Sequence, residues 1–277
     1  MKNNYIKILV TLLLGFCHNA MAQLQWFGPV TELDNAKLMV TYRLTYREDT
    51  TNLEKFGCER MVLIIGNTIS NFQSYNKYES DRIGRQKQNE GILLEWVQSG
   101  AAQDYACRYQ YSIYKNHPNG KITTTDKIFL GDSYEYEENL YTYSWKVVDD
   151  TASISGYSCQ KAICDFSGRT WEAWFSEELP FNDGPYKFGG LPGLILNIAD
   201  TQGHYVFEFL SIEKMPEGSK IGKEENDYIK TTKQRFFDAM RIYLKEGGYT
   251  DKVNEDFAKK IQAVMKSRNN PIELDRK

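Results

Sequence analysis

The segment with the most chemically useful side chains is residues 171–200. It contains an aromatic–cation–aromatic triplet, Tyr186, Lys187 and Phe188, between two turn-forming sequences. Rigid loops held on a scaffold are frequent binding sites. The triplet, together with Trp174 on the preceding strand, is therefore the candidate site for a ligand or partner. The alternative is that this loop serves only to specify the fold.

Two turns are predicted to constrain the triplet. Residues 183–185 (Asp-Gly-Pro) form the first. Residues 191–194 predict a type II turn, because Pro192 presets φ at the first central position and Gly193 tolerates a positive φ at the second. The whole structural motif consists of Gly190, Leu191, Pro192, Gly193, Leu194 and Ile195.

Acidic residues near this loop offer a second kind of chemistry. Glycoside hydrolysis uses two carboxyl groups about 5–10 Å apart, one of them with a raised pKa. The candidates for such a pair are Glu172, Glu177, Glu178 and Asp183. Solvated or turn-capping roles are the simpler interpretation of these residues. No catalytic residue is assigned, and the interpretation leans towards a protein without enzymatic activity.

The chain has little material for metal or histidine chemistry. Only three histidines occur, and His117 and His204 lie in predicted turns, where exposure to solvent is expected. The sequence has no HExxH zinc motif, calcium-binding loop, GxSxG nucleophile elbow or phosphate-binding loop. We therefore expect no metal site and no cofactor. Arg169 is interpreted as a hairpin residue with a local ion pair.

Residues 1–22 have the features of a cleaved secretory signal peptide. Lys2 and Lys7 precede a short apolar run, and residues 20–22 (Ala-Met-Ala) form a cleavage signal. The run is too short to cross a bilayer, and no other segment is long enough. Removing two lysines and no acids changes the formal net charge from −3 to −5. The prediction is an exported protein, periplasmic or associated with the outer membrane, that does not bind nucleic acid.

Export to an oxidising compartment makes the remaining cysteines candidates for disulfides. These cysteines are Cys58, Cys107, Cys159 and Cys164. The last two stand five residues apart in a predicted strand, which separates them by about 16 Å. Because a disulfide requires Cα atoms within about 7 Å, these two are not expected to pair with each other. The pairing otherwise stays open, and a buried thiol is the alternative.

Alternating and continuous apolar segments predict about ten β-strands. The predicted strands are residues 37–46, 61–65, 91–97, 107–115, 121–130, 141–148, 156–166, 170–176, 194–198 and 204–212. Residues 70–88 are predicted as a helix or a long excursion, and amphipathic helices are predicted at about 231–245 and 251–268. This order predicts a single mainly β (α+β) domain over residues 23–277. Its architecture would be a curved antiparallel sheet or half-barrel with two C-terminal helices packed on it.

The motif at residues 190–195, Gly-Leu-Pro-Gly-Leu-Ile, resembles the sequence that names the GLPGLI family of secreted bacterial proteins. Flanking features also resemble that family, among them Gly168-Arg169, Ala173-Trp174 and Gly184-Pro185. The resemblance peaks over residues 157–200. It implies export in gram-negative bacteria and proximity to outer-membrane import systems, which are the candidate partners together with other envelope proteins. It implies no established activity and no catalytic residues.

Aromatic residues make up 14% of the chain, with 19 tyrosines, and they alternate along several predicted strands. Such residues normally fill the core of a sheet, but they also line concave binding faces. The leading hypothesis is a non-enzymatic exported binding or carrier module for an apolar or peptide-like ligand or an envelope partner. One alternative is a protein–protein interaction module that exposes residues 186–188. The other is a hydrolase that uses a carboxylate pair.

Overall fold

A computed structural model of the protein describes residues 27–128, 131–246 and 254–274. The predicted signal peptide lies outside the described residues. The strands are β1 (Val30–Asn35), β2 (Leu38–Tyr46), β3 (Gly57–Ile65), β4 (Ser70–Ser74), β5 (Ser112–Lys115), β6 (Lys121–Lys127), β7 (Ser133–Asn139), β8 (Lys146–Ile154), β9 (Tyr157–Phe166), β10 (Arg169–Ser176), β11 (Leu194–Asp200), β12 (Tyr205–Lys214), β13 (Lys220–Glu224) and β14 (Ile229–Thr231). The α-helices are α1 (Tyr75–Asn89), α2 (Leu93–Gln98), α3 (Lys233–Lys245) and α4 (Glu255–Ser267), and a 3₁₀-helix spans Ala101–Tyr105.

Twelve strands form one open sheet in the order β14-β7-β6-β5-β4-β3-β2-β12-β11-β10-β9-β8. All neighbours pair antiparallel except β14 and β7, which are parallel. Strands β1 and β13 form a separate two-stranded ribbon. The prediction of a mainly β, largely antiparallel open sheet with helices near the C-terminus is confirmed.

We call the face of the sheet that carries the main aromatic core the inner face, and the opposite face the outer face. The inner face carries fully buried aromatic residues such as Tyr42, Phe72, Trp171 and Phe207. On the outer face, α1 and the β1–β13 ribbon pack around β3, β4 and β5. There a small apolar cluster unites Ala36, Ile64, Tyr114 and Ile221. The alternating aromatic residues of the sequence therefore fill the inner face, as period-two patterns predict.

The C-terminal helices lie where the sequence predicts them. Helix α3 is capped by Thr232, whose side chain accepts a hydrogen bond from the Arg235 backbone N–H. Its residues Phe236 and Phe237 pack against Tyr136 of β7. Helix α4 has a corresponding cap at Asn254. Residues 251–253 of the predicted second helix lie outside the described residues.

One predicted strand is wrong, and two others start later than predicted, since β5 begins at Ser112 rather than residue 107 and β8 at Lys146 rather than residue 141. Residues 91–97 were expected to form a strand, but Leu93–Gln98 forms helix α2, with Leu93 buried. A short apolar run does not distinguish a strand from a buried helical turn by its periodicity. The polar segment before it, residues 70–88, supplies β4 and most of α1. None of the described helices is long and apolar enough to cross a membrane.

The turn between β3 and β4 is organised by one carboxylate, Asp34. Its oxygens accept hydrogen bonds from the backbone N–H groups of Thr68 (2.7 Å) and Ile69 (3.0 Å) and from the Asn67 side chain (2.7 Å). Partial burial acts to raise the pKa of Asp34, but these hydrogen bonds outweigh it and hold the pKa well below its usual range.

This geometry predicts a pH-dependent effect of Asp34→Asn. A carboxyl group with a depressed folded-state pKa stabilises the protein above its unfolded-state pKa of about 4, and this stabilisation is lost as the pH falls towards the folded-state pKa. We expect the variant to be less stable than the wild type at pH 7 and the difference to narrow below about pH 4. Urea unfolding across this pH range measures the difference in the free energy of unfolding between the variant and the wild type. Asp150→Asn, at a carboxylate 68% exposed, is the control and should change stability little at any pH; a constant difference for Asp34→Asn would contradict the assignment.

Candidate functional site

The predicted triplet is buried in the inner face of the sheet. Tyr186, Lys187 and Phe188 are only 4%, 2% and 0% exposed. The Phe188 ring lies among other aromatic rings, with centroid distances of 4.7 Å to Trp171 and 5.3 Å to Phe166. The loop that carries the triplet therefore forms part of the core. The predicted exposed patch at residues 186–188 is wrong, because alternation along strands gives no information on the direction in which a connecting loop folds.

Lys187 belongs to a group of four charges, which we call the Lys187 cluster: the buried Lys187 and Glu273 and the half-buried Glu138 and Lys233. The Lys187 ammonium contacts the carboxylates of Glu138 and Glu273, the latter at 2.7 Å. Lys233 bridges the same two carboxylates at 3.0 and 2.8 Å. Two positive and two negative charges thus neutralise one another. The cluster joins the loop to β7, to α3 and to the C-terminal segment.

Burial and charge act in opposite directions on Lys187. Burial disfavours its charged form, but the adjacent Glu273 carboxylate, with Tyr136 and Glu138, outweighs this and raises the pKa of Lys187 above its ordinary value. Glu273 itself is 0% exposed and also accepts a hydrogen bond from the Tyr186 hydroxyl. Tyr186 and Lys187 of the triplet therefore bind this internal carboxylate.

A second buried cation, Lys115 of β5, fixes the turn before the triplet. Its ammonium contacts the Asp183 carboxylate and donates hydrogen bonds to the carbonyl oxygens of Gly184 (2.5 Å) and Phe188 (2.9 Å). Burial lowers the pKa of Lys115, and the Asp183 carboxylate opposes that shift. With three acceptors around it, the amine is held as a structural cation.

A third buried cation, Arg169, holds the C-terminal segment. Its Nη1 lies 2.8 Å from Asp200, and its Nε and Nη2 donate to the carbonyl oxygens of Ile272 and Pro271. The predicted ion pair of Arg169 is therefore present and buried. The expectation of an exposed His204 is wrong: this side chain is 8% exposed, and its Nδ1 lies 3.3 Å from the Arg169 guanidinium. The Arg169–Asp200 pair draws the β11–β12 turn towards the core.

The motif at residues 190–195 has a structural role, but its backbone conformation differs from the predicted one. Gly190 has φ +83°, whereas Gly193 is not among the described residues with positive φ, so the predicted type II turn is wrong. Gly193 instead lies so close to β10 that a Cβ there would stand 2.1 Å from the Ser176 carbonyl oxygen. Leu191, Leu194 and Ile195 of the motif are buried.

The four candidate carboxylates are not brought together as a pair by any shared contact in the described structure. Glu172 forms an ion pair with Lys161 at 2.9 Å, Glu178 accepts a hydrogen bond from the backbone of Ser158, and Asp183 binds Lys115. Glu177 is exposed. These separate partners leave the hydrolase alternative without a supporting geometry.

The cysteines are all free thiols in the described structure. Cys159 and Cys164 share strand β9 and do not pair with each other, as their spacing predicts. Burial raises the pKa of Cys107 to about 11 and that of Cys164 to about 12. Such thiols are poorly ionised at neutral pH and are not activated nucleophiles. The predicted disulfides are therefore not formed here.

Trp174 is the one predicted binding residue that lies on the outer face. Along β10, residues 169, 171, 173 and 175 are buried, whereas residues 170, 172 and 174 are exposed or half-buried. Strands β11 and β12 show the same alternation, with Asn197 and Glu208 on the outer side. The main packing partners of the helices are β3, β4 and β7 rather than these strands.

Register places Trp174 within a row of polar side chains that crosses five strands. We call it the outer row: Lys161 (β9), Trp174 (β10), Asn197 (β11), Glu208 (β12) and Arg43 (β2). Each member is the direct cross-strand partner of the next. Residues directly opposite each other in a sheet project to the same face. The outer row therefore presents an indole, an amide, a carboxylate and two cations on one surface.

Contacts within the outer row fix the side chains. Lys161 lies 5.7 Å from the Trp174 ring centroid and pairs with Glu172. Arg43 Nε lies 3.0 Å from Glu208, with side-chain exposures of 52% and 37%. Alternation along β10 predicts that Trp174 and Trp171 project from opposite faces of the sheet. The strand order β9-β10-β11-β12-β2, which assembles the row, follows no pattern in the sequence.

Comparison with known proteins provides a fold relationship. Residues 108–238, less than half of the chain, match the family model described as "N-glycanase peptide, N-terminal domain" of PNGase F-II. Two solved structures of PNGF-II, in space groups P2₁ and C2, superpose with TM-scores of 0.52 and 0.50 at 15% sequence identity. Each alignment covers 74% of this chain and 33% of that structure, so the chain spans about a third of the length of PNGF-II. No curated protein matches the sequence.

The Lys187 cluster predicts strong coupling between Lys187 and Glu273. Lys187→Met and Glu273→Gln should each lower the free energy of unfolding by about 3–5 kcal/mol, because each leaves the partly buried cluster with one unbalanced charge. The double variant should lose clearly less than the sum of the two. Urea unfolding of all four proteins measures this coupling. The exposed pair Arg241–Asp238 on α3 is the control and should give about 1 kcal/mol or less; additive effects at Lys187 and Glu273 would contradict the assignment.

Proposed function

We propose that this protein is a non-enzymatic binding module of an exported bacterial protein, and that it binds carbohydrate on the outer face of strands β9, β10, β11, β12 and β2. The observation that carries the proposal is the outer row, in which the half-buried Trp174 stands among hydrogen-bonding side chains on the face of the sheet that does not carry Trp171. The same proposal assigns the buried triplet at residues 186–188 to the scaffold.

The inner face is a poor place for a ligand because the chain itself occupies much of it. Phe188 packs at 0% exposure against Trp171, and Ile272 of the C-terminal segment belongs to the same apolar cluster. An apolar or peptide-like ligand on this face would have to displace residues that the Lys187 cluster and Arg169 anchor. The outer face requires no such displacement.

The chemistry of the outer row suits a sugar better than an apolar molecule. An indole ring offers a flat apolar surface with a negative face, on which the C–H groups of a pyranose ring can stack. Asn197 Oδ1 is engaged by the backbone N–H of Phe209 at 2.9 Å, which orients its Nδ2 group. Amide, carboxylate and guanidinium groups fixed beside an aromatic ring are suited to bind pairs of hydroxyl groups.

The relationship with PNGase F-II supports the same class of ligand. The matched model describes the N-terminal domain of an N-glycanase. Within this proposal, the chain belongs to the GLPGLI family, is exported by the segment at residues 1–22, and acts in the periplasm or at the outer membrane. An outer-membrane import system or another envelope protein is the proposed partner that would receive or present the glycan.

Trp174→Ala tests this proposal. The purified protein is applied to a glycan array that contains N-glycans and bacterial and plant polysaccharides, and hits are quantified by isothermal titration calorimetry. We expect the wild type to bind at least one class of glycan. Trp174→Ala should weaken that binding about tenfold or more, since stacking on a large aromatic ring contributes on the order of 1–2 kcal/mol.

Trp96→Ala is the matched control. Trp96 is also half-buried, but it lies on α2 and packs against Tyr105. We expect its replacement to leave glycan binding unchanged. Thermal unfolding of both variants separates a loss of binding from a loss of folding. The absence of any glycan binding by the wild type, or equal losses in both variants, would refute the proposal.

A further inference from the structure

The geometry points to an oligosaccharide chain that lies across the strands, along the outer row from Trp174 to Arg43, rather than to a single sugar residue. This inference rests on the proposed carbohydrate-binding function and specifies the size, direction and charge of its ligand. It makes Arg43 and Glu208 a distal subsite and Trp174 the proximal one.

The dimensions of the sheet set the length of this site. Neighbouring strands lie about 4.8 Å apart, so a row over five adjacent strands extends about 19 Å, and Trp174 and Arg43 stand about 14 Å apart. A monosaccharide stacked on Trp174 reaches Asn197 on the next strand but not Arg43. A chain of several sugar residues perpendicular to the strands can contact the whole row.

The ion pair between Arg43 and Glu208 is compatible with the binding of hydroxyl groups at the distal subsite. Arg43 uses Nε for its 3.0 Å contact with Glu208 Oε2, and both side chains are substantially exposed. The two terminal nitrogen atoms of a guanidinium group form a fixed fork of donors, which fits adjacent hydroxyl oxygens. The Glu208 carboxylate adds acceptors beside them. This subsite therefore offers donors and acceptors in a defined orientation.

The charges around the outer row favour an uncharged oligosaccharide as the ligand. Lys161 is balanced by Glu172 and Arg43 by Glu208, while Arg60, the cross-strand partner of Arg43 on β3, lies 3.5 Å from the Tyr75 ring centroid. A polyanionic chain needs an excess of positive charge to compensate for its desolvation, and the two cations of the outer row are already paired with carboxylates. Neutral oligosaccharides are favoured over sulfated, phosphorylated or uronic-acid chains.

A length series tests the inference. Calorimetry measures the affinity of the purified protein for N-acetylglucosamine oligomers and mannose oligomers, each from the monosaccharide to the hexasaccharide, with an oligogalacturonate series as the anionic comparison. We expect the affinity for one neutral series to rise about tenfold or more between the monosaccharide and the tetrasaccharide and then to level off. The added contacts at Arg43 and Glu208 are hydrogen bonds to charged groups, which supply a gain of this order.

Two variants locate the subsites. Arg43→Ala should weaken binding of the tetrasaccharide about tenfold and leave the disaccharide unaffected, whereas Trp174→Ala should weaken every length. Because the Arg43–Glu208 pair is exposed, the variant should unfold at the wild-type temperature. Arg47→Ala, at an arginine just beyond β2, is the matched control and should leave the length dependence intact.

The outcomes separate this inference from the proposed function. Trp174-dependent binding without length dependence, or with a preference for oligogalacturonate, would overturn the extended neutral site and leave a carbohydrate-binding module. Equal effects of Arg43→Ala on all lengths would overturn the assignment of a distal subsite. Failure of both neutral series and of the glycan array would overturn the inference and the proposed function together.

Discussion

The arrangement of this protein depends on a carboxylate that has no access to solvent. Glu273 is 0% exposed, and a buried charge is tolerated only when a partner and hydrogen bonds compensate for its lost hydration. Lys187, Lys233 and Tyr186 supply them. Because these groups come from the glycine-rich loop and from α3, one requirement for charge balance fixes the loop, the helix and the C-terminal segment together.

This constraint decides which face of the sheet is available for binding. Three buried cations, Lys115, Lys187 and Arg169, all bind carboxylates or carbonyl oxygens of the loop and the C-terminal segment. They hold these segments against the inner face, where Phe188 completes the aromatic core. The inner face is thereby committed to stability. The three cations do not lie on the outer face of β9–β12 and β2, which is where the proposed binding site around Trp174 is located.

The fold relationship with PNGF-II is consistent with this separation of scaffold and surface. At 15% identity the similarity concerns the backbone architecture, and function depends on the side chains that each protein carries on it. The proposed position of the carbohydrate site therefore rests on the outer row of this chain, and the family match supports only the class of ligand. The motif at residues 190–195 explains part of the architecture, since Gly193 allows the close approach to Ser176.

The sequence by itself determined the class of fold, most strands and both C-terminal helices, because these follow from local periodicity and capping. It also determined that Trp174 and Trp171 project from opposite faces of the sheet. Tertiary structure alone decided that Tyr186 and Phe188 face inwards, that His204 is buried and that the four cysteines in the described residues are free thiols. It also assembled the Lys187 cluster from residues up to 135 positions apart (Glu138 and Glu273) and the outer row from five strands. Such groupings depend on strand order and on charge compensation between residues far apart in the sequence. Neither can be recognised from residues that are adjacent in the sequence.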